Sequence, residues 1–204
     1  MTAQAPDQFF YRDQKLDLVG IKGNELPVPI DFGIETVMAS TACWRGYIMR
    51  YRVIETRLIL EGFWLNSKND ELPEINGIKP IKLSKETAIE GDWMHNMFRN
   101  EYKNLDMTIP FNGSLWLAKD FIDSEYVHMG FQSPTAYRTV LKFDFKDGII
   151  VNLEDKSKEV ENAREKGTCK EPQPKSMSAG DIDEWIMKRF SLDIDFYKKK
   201  ENGD

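Results

Sequence analysis

"YRTVLKFDFKDGIIVNLED", residues 137–155, decides the fold class. Leu141, Phe143 and Phe145 recur two apart, as do Ile149, Val151 and Leu153, and Asp147-Gly148 supplies turn chemistry between the two runs. This is the pattern of an antiparallel hairpin with one apolar face. Its register depends on loop length. A two-residue loop pairs Lys146 with Ile149 and sends the two apolar sets to opposite faces. A three-residue loop, Lys146-Asp147-Gly148, pairs Phe145 with Ile149, Phe143 with Val151 and Leu141 with Leu153, all on one buried face. Burial therefore predicts the three-residue loop, with Gly148 at positive φ in a bulge.

The same period-two alternation extends through most of the chain. "FFYRDQKLDLVGI" reads as two strands around Arg12-Asp13-Gln14, with Leu16 and Leu18 on one face and Asp17 and Val19 on the other. Pro27, Pro29 and Gly33 mark a loop. From Arg45 a strand carries Tyr47, Met49, Tyr51 and Val53 on one side and Ile48, Arg50 and Arg52 on the other. The strand from about Thr56 to Leu65 is apolar on both faces, as a covered central strand is. The segments 10–21 and 50–63 share a weak hairpin rhyme, without a full-length repeat. Asn76-Gly77 predicts a turn before a short strand near Ile78 to Leu83, and Asn112-Gly113 predicts a further hairpin. "SEYVHMGF" also alternates, placing Tyr126, His128 and Gln132 on one strand face.

Helical spacing is confined to a few windows. Asp92 can cap a helix over 92–102 that carries Trp93, Met94, Met97, Phe98 and Tyr102. "SKEVENAREKG" predicts a solvated helix with Ser157 as its cap and Gly167 as its stop. Ser178 followed by Asp181 opens an amphipathic helix with Ile182, Trp185, Ile186 and Phe190 on one face, and 191–197 is ambiguous between helix and edge strand. The expectation is an α+β fold: a mainly antiparallel β sandwich or partly open barrel with two or three packed helices. One domain spans 1–204, with its core from about 8 to 155 and a helical appendage over about 157–197, joined by a flexible connector at 167–177.

Composition bounds the function. The chain has 204 residues and a net charge of −6, which disfavours nonspecific nucleic-acid binding and suits a basic protein partner. No apolar run spans a bilayer, and "MTAQAPDQFF" has neither the basic region nor the apolar stretch of a signal peptide, so a cytoplasmic location without membrane attachment is expected. Two distant cysteines, Cys43 and Cys169, are expected as free thiols.

No residue pattern specifies a chemistry. Ala42-Cys43-Trp44 coincides with the end of the papain-type C-G-[SA]-C-[WY] motif, but Ser40 and Thr41 stand where Cys and Gly belong. The residues after Cys43 read as strand, whereas that nucleophile sits at a helix N-terminus. His95 is read as a surface residue. HxH, HExxH, CxxC and the glycine-rich phosphate loops are absent, so no metal, nucleotide or other cofactor is expected and no catalytic residue is assigned. Arg45, Arg50 and Arg52 interleaved with Trp44, Tyr47 and Tyr51 read as cations lying over their own aromatic neighbours. The leading expectation is a noncatalytic cytosolic protein of bacterial type that binds a protein partner, as an inhibitor or immunity-like antidote would. The alternative is a small-molecule-binding barrel or enzyme whose pocket lies near His128, drawing on Trp44, Arg45, Tyr126, His128 and Gln132.

Overall fold

The computed structural model describes residues 2–84, 93–166 and 174–194. Their ten strands form a single mixed sheet: β1 (Gln8–Tyr11), β2 (Gln14–Gly23), β3 (Tyr47–Ile54), β4 (Arg57–Leu65), β5 (Ile81–Lys82), β6 (Asn100–Tyr102), β7 (Met107–Thr108), β8 (Gly113–Phe121), β9 (Tyr137–Lys146) and β10 (Ile149–Asp155). The order is β10-β9-β8-β2-β1-β3-β4-β6-β5, with β7 beside β4. Every pairing is antiparallel except β1 against β3, which is parallel. The sheet curls until β10 meets β4 at Ile149 and Arg57, so it is partly ringed without becoming a barrel. Three helices complete the α+β fold: α1 (Trp93–Met97), α2 (Ser157–Glu165) and α3 (Ala179–Phe190). One curled sheet, rather than two stacked ones, encloses the core. The two rhyming hairpins lie side by side, since β1 is the neighbour of β3.

Alternation places the core as the sequence requires. Phe9, Leu16, Leu18, Met49, Tyr51, Leu58, Leu60, Phe63, Leu115, Leu117, Phe143 and Phe145 fill the inside of the ring. The opposite faces build two smaller clusters, Val19 with Trp116 and Val140, and Cys43 with Ile48, Trp64, Met94 and Phe98. β4 is buried on both faces because each has a cluster to cover it. At about 1.5–3 kcal/mol per large buried side chain, these rows are the main stabilising contribution.

The β9–β10 hairpin corrects the predicted register. Its loop has two residues, Asp147 (φ 49°) and Gly148 (φ 74°), and Lys146 pairs with Ile149. Both central residues at positive φ give the turn whose twist matches the flanking strands. The bulge lies at Val151 instead, resetting the ladder so that Leu153 faces Phe143. Ile149, Val151 and Leu153 are exposed, Val151 at 62%. Phe143 and Phe145 are covered from within the ring, by Tyr11 edge-on at 5.0 Å and by Phe111 at 5.8 Å. β10 is instead held by ring closure. The Gly148 N–H donates to the Phe111 carbonyl (2.8 Å), its carbonyl accepts from Leu58 N–H (2.8 Å), and Ile150 N–H donates to Thr56 (2.8 Å). Asn112 does not turn a hairpin; its amide braces this loop, accepting from Asp147 N–H (2.9 Å) and donating to the Asp147 carboxylate (3.1 Å).

Three further expectations are corrected. The helix read over 92–102 is only α1, and Asn100–Tyr102 is strand β6, paired with Phe63–Leu65. Tyr102 is worth more packed against the Phe63 ring (4.8 Å between centroids) and donating to the Pro73 carbonyl than on a helix of indifferent propensity. Residues 126–132 form a loop rather than a strand. Ser157 does not cap α2: Lys156 holds the cap position and Ser157 is the first helical residue, its hydroxyl accepting from Val140 N–H, whereas α3 is capped as expected by Ser178, which accepts from Asp181 N–H at 3.2 Å. The Asp92 cap, the Gly167 stop, Cys169, residues 167–173 of the connector and residues 195–197 lie outside the described residues.

A Cβ on Gly148 would lie 2.0 Å from the Ile109 carbonyl oxygen, in a backbone region that side chains disfavour. Gly148→Ala is expected to lower stability by about 2 kcal/mol or more in urea denaturation. The register correction has its own test in the same assay. Phe143→Ala should cost about 3–5 kcal/mol, and Val151→Ala no more than about 0.5 kcal/mol.

Candidate functional site

The sheet forks where β1 begins. Gln8 pairs with Asp17 of β2 and with Arg50 of β3, but upstream of Asp7 the chain leaves both neighbours. Ala5 N–H donates to the Ala42 carbonyl, and Gln4 N–H to the Gly130 carbonyl. Beyond the fork β2 and β3 continue with no strand between them. Asp7 bridges the split. Its backbone carbonyl accepts from Leu18 N–H (2.9 Å), and its carboxylate Oδ1 accepts from Met49 N–H (2.7 Å), the donor that an extended β1 would have used.

Arg45 neutralises that carboxylate. Its two terminal nitrogens reach the Asp7 oxygens at 2.9 and 2.7 Å, and Nη2 also donates to the Ala5 carbonyl (3.1 Å). The guanidinium lies 4.8 Å from the Tyr47 ring centroid and 5.5 Å from that of Phe131. The Asp7 side chain is 8% exposed and that of Arg45 20%, so the pair is well shielded and geometrically bidentate. Arg45 Nε is buried without a hydrogen bond among the described residues.

The open part of the fork is a groove of about 1030 Å³. The β2 side contributes Ile21 to Leu26 and Val28, and the β3 side Trp44, Arg45, Tyr47 and Tyr51. Phe131, Phe190, Leu192 and Asp193 close it. Phe190, from the end of α3, stacks on Trp44 with centroids 5.0 Å apart, and Trp44 remains 41% exposed. The chain after α3 then supplies part of the missing strand. Leu192 accepts from Ile21 N–H (2.7 Å) and Ile194 N–H donates to the Ile21 carbonyl (3.2 Å), a parallel bridge along the β2 edge. Arg189 anchors this arm on the carbonyls of Met129 and Phe131. Burial raises the hydroxyl pKa of Tyr47, opposed by the attraction of Arg45, and raises that of Tyr51 further.

Of the residues read as candidates, Trp44 and Arg45 line the groove; Tyr126, His128 and Gln132 do not. Those three belong to the neighbouring loop. The Gln132 amide is tied to the backbone of Val127 at both ends (3.0 and 2.7 Å), and the rings of Tyr126 and His128 meet edge-on at 4.9 Å. Tyr126 accepts from Ala3 N–H, pinning the loop to the incoming chain. Sequence reasoning misses Phe131, Asp7 and Phe190 as groove residues. Phe190 is legible only as part of an apolar helix face, and nothing local distinguishes Asp7 from other carboxylates.

The remaining chemistry is structural in placement. Cys43 is buried, its thiol 3.3 Å from the Tyr47 carbonyl, and burial pushes its pKa up despite the attraction of Arg45, away from thiolate reactivity. Arg45 and Gly46, read as strand, lie in a turn that precedes β3. Arg50 lies 4.5 Å from the Trp64 ring centroid and 3.1 Å from Glu101, while Glu61 takes Arg52 at 2.6 Å, so these arginines serve their own sheet. A second cavity of about 740 Å³ lies over this network. Asp17 is raised in pKa by burial and accepts from Tyr137 (3.2 Å), but it lines neither cavity. His95 is half-buried on α1. Among the described residues no three His, Cys, Asp or Glu side chains converge as metal ligands, and no helix is long and apolar enough to cross a membrane. Compared with known protein families, curated proteins and solved structures, the chain matches none.

Asp7→Ala should cost about 2–4 kcal/mol in chemical denaturation, because it strands the Met49 N–H and leaves the Arg45 charge without its counterion. Adding Arg45→Met should recover part of that loss. A double variant no more stable than Asp7→Ala alone would show that Arg45 is not the group left stranded.

Proposed function

We propose that the chain is a noncatalytic binding protein that holds an extended segment of a protein partner in the forked groove, as an inhibitor or antidote does. The observation that carries this reading is the docking of Leu192–Ile194 on the β2 edge. The fork leaves part of the β2 edge without a neighbouring strand, and the chain itself demonstrates that an extended peptide pairs there. Aromatic side chains beside such an edge supply the anchors that protein recognition favours.

A second reading has its own support in the groove's volume, which is at the upper end for small-molecule sites. It places the ligand on Trp44 and Tyr47 rather than beside His128.

Selection of displayed peptides on the intact protein separates the two. Peptides enriched on the parent should lose at least about tenfold in affinity for Trp44→Ala, with His128→Ala unchanged. Enriched peptides indifferent to Trp44→Ala, together with a small molecule retained in native mass spectrometry, would replace the first reading by the second.

A further inference from the structure

We infer that the groove selects a cationic side chain, a guanidinium or an ammonium flanked by apolar groups. This rests on the peptide-binding role proposed for the groove and adds the chemistry of what enters. The groove wall already holds one guanidinium in the manner a ligand's would be held. Arg45 sits against the rings of Tyr47 and Phe131 with its edge on a carboxylate. That cation is engaged by Asp7, so the fixed pair adds no net charge to the floor.

Around it the balance is acidic. Glu25 and Asp193 line the groove against a single further cation, Lys22. Glu25 is exposed and has no ion pair or hydrogen bond among the described residues. Trp44, partly exposed, offers an indole ring in the same groove, and indole is the ring on which a cation binds best. An unpaired carboxylate and an accessible indole in one concavity attract a positive group by two independent interactions. An anionic ligand would meet Glu25 unfavourably, and the arginine in the lining, Arg45, is already engaged by Asp7. The net charge of −6 favours the same sign of partner at longer range.

The test uses the full chain and two synthetic peptides, acetyl-Leu-Arg-Leu-Arg-amide and the same peptide with citrulline, the neutral isostere, at both arginine positions. Binding is read from the Trp44 indole resonance in a ¹⁵N spectrum, which reports dissociation constants into the millimolar range. The arginine peptide should bind about tenfold more tightly than the citrulline peptide. Glu25→Gln, a change at an exposed position, should narrow that ratio severalfold. Equal binding of the two peptides would overturn the cation preference and leave the groove as a peptide site. Tighter binding of a Leu-Glu-Leu-Glu peptide would overturn it by reversing the sign. If none of the peptides shifts the Trp44 resonance, both the preference and the peptide-binding role fall.

Discussion

Asp7 resolves a conflict that the strand lengths create. β1 is four residues long and lies between two much longer strands, so the sheet must split where β1 starts, and a split sheet exposes backbone donors. A carboxylate at the splitting point satisfies one of them, Met49 N–H, and its neutralisation by Arg45 keeps the buried charge tolerable. The groove is a consequence of that arrangement. It exists because a side chain, rather than another strand residue, ends the β1–β3 ladder. Its aromatic walls come from β3, the turn before it, the 126–132 loop and the end of α3.

Closure at the other side of the ring obeys a related constraint. A curled sheet has two ends to protect, and β10 reaches β4 through the Asp147-Gly148 turn, which is seated on Phe111 and Leu58 by the backbone of Gly148. Only a residue without a side chain fits against the Ile109 carbonyl there. The cost of this seating is borne by β10, whose apolar residues remain largely in solvent. Ring closure and core burial pulled the hairpin in different directions. The backbone bonds at the turn prevailed because the core was already filled by Tyr11, Phe111 and Phe145 around Phe143.

Much of the sheet was legible because side-chain alternation is a local property. The faces of β2, β3 and β4 came from spacing alone, and the Ser178 cap of α3 came from a hydroxyl three residues before an N–H that needed an acceptor. Tyr102 looks helical in sequence because its partner, Phe63, lies far away along the chain. The 126–132 loop looks like a strand for a complementary reason. Its alternation is real, but the Gln132 amide clamps the Val127 backbone and removes it from any ladder. The same clamp brings Phe131 to the groove and leaves His128 outside its lining.

Sequence by itself determined that this chain folds around pleated strands, which residues of β2, β3 and β4 line the inner face, and that it carries a net negative charge, because each is set by residue type and spacing. Tertiary structure alone decided which strand edge stayed open, that Asp7 and Arg45 would meet across 38 residues, and that Phe190 would reach Trp44. Those outcomes depend on where strands end relative to their neighbours in space. Strand pairing between distant segments sets that relation, and no local pattern encodes it.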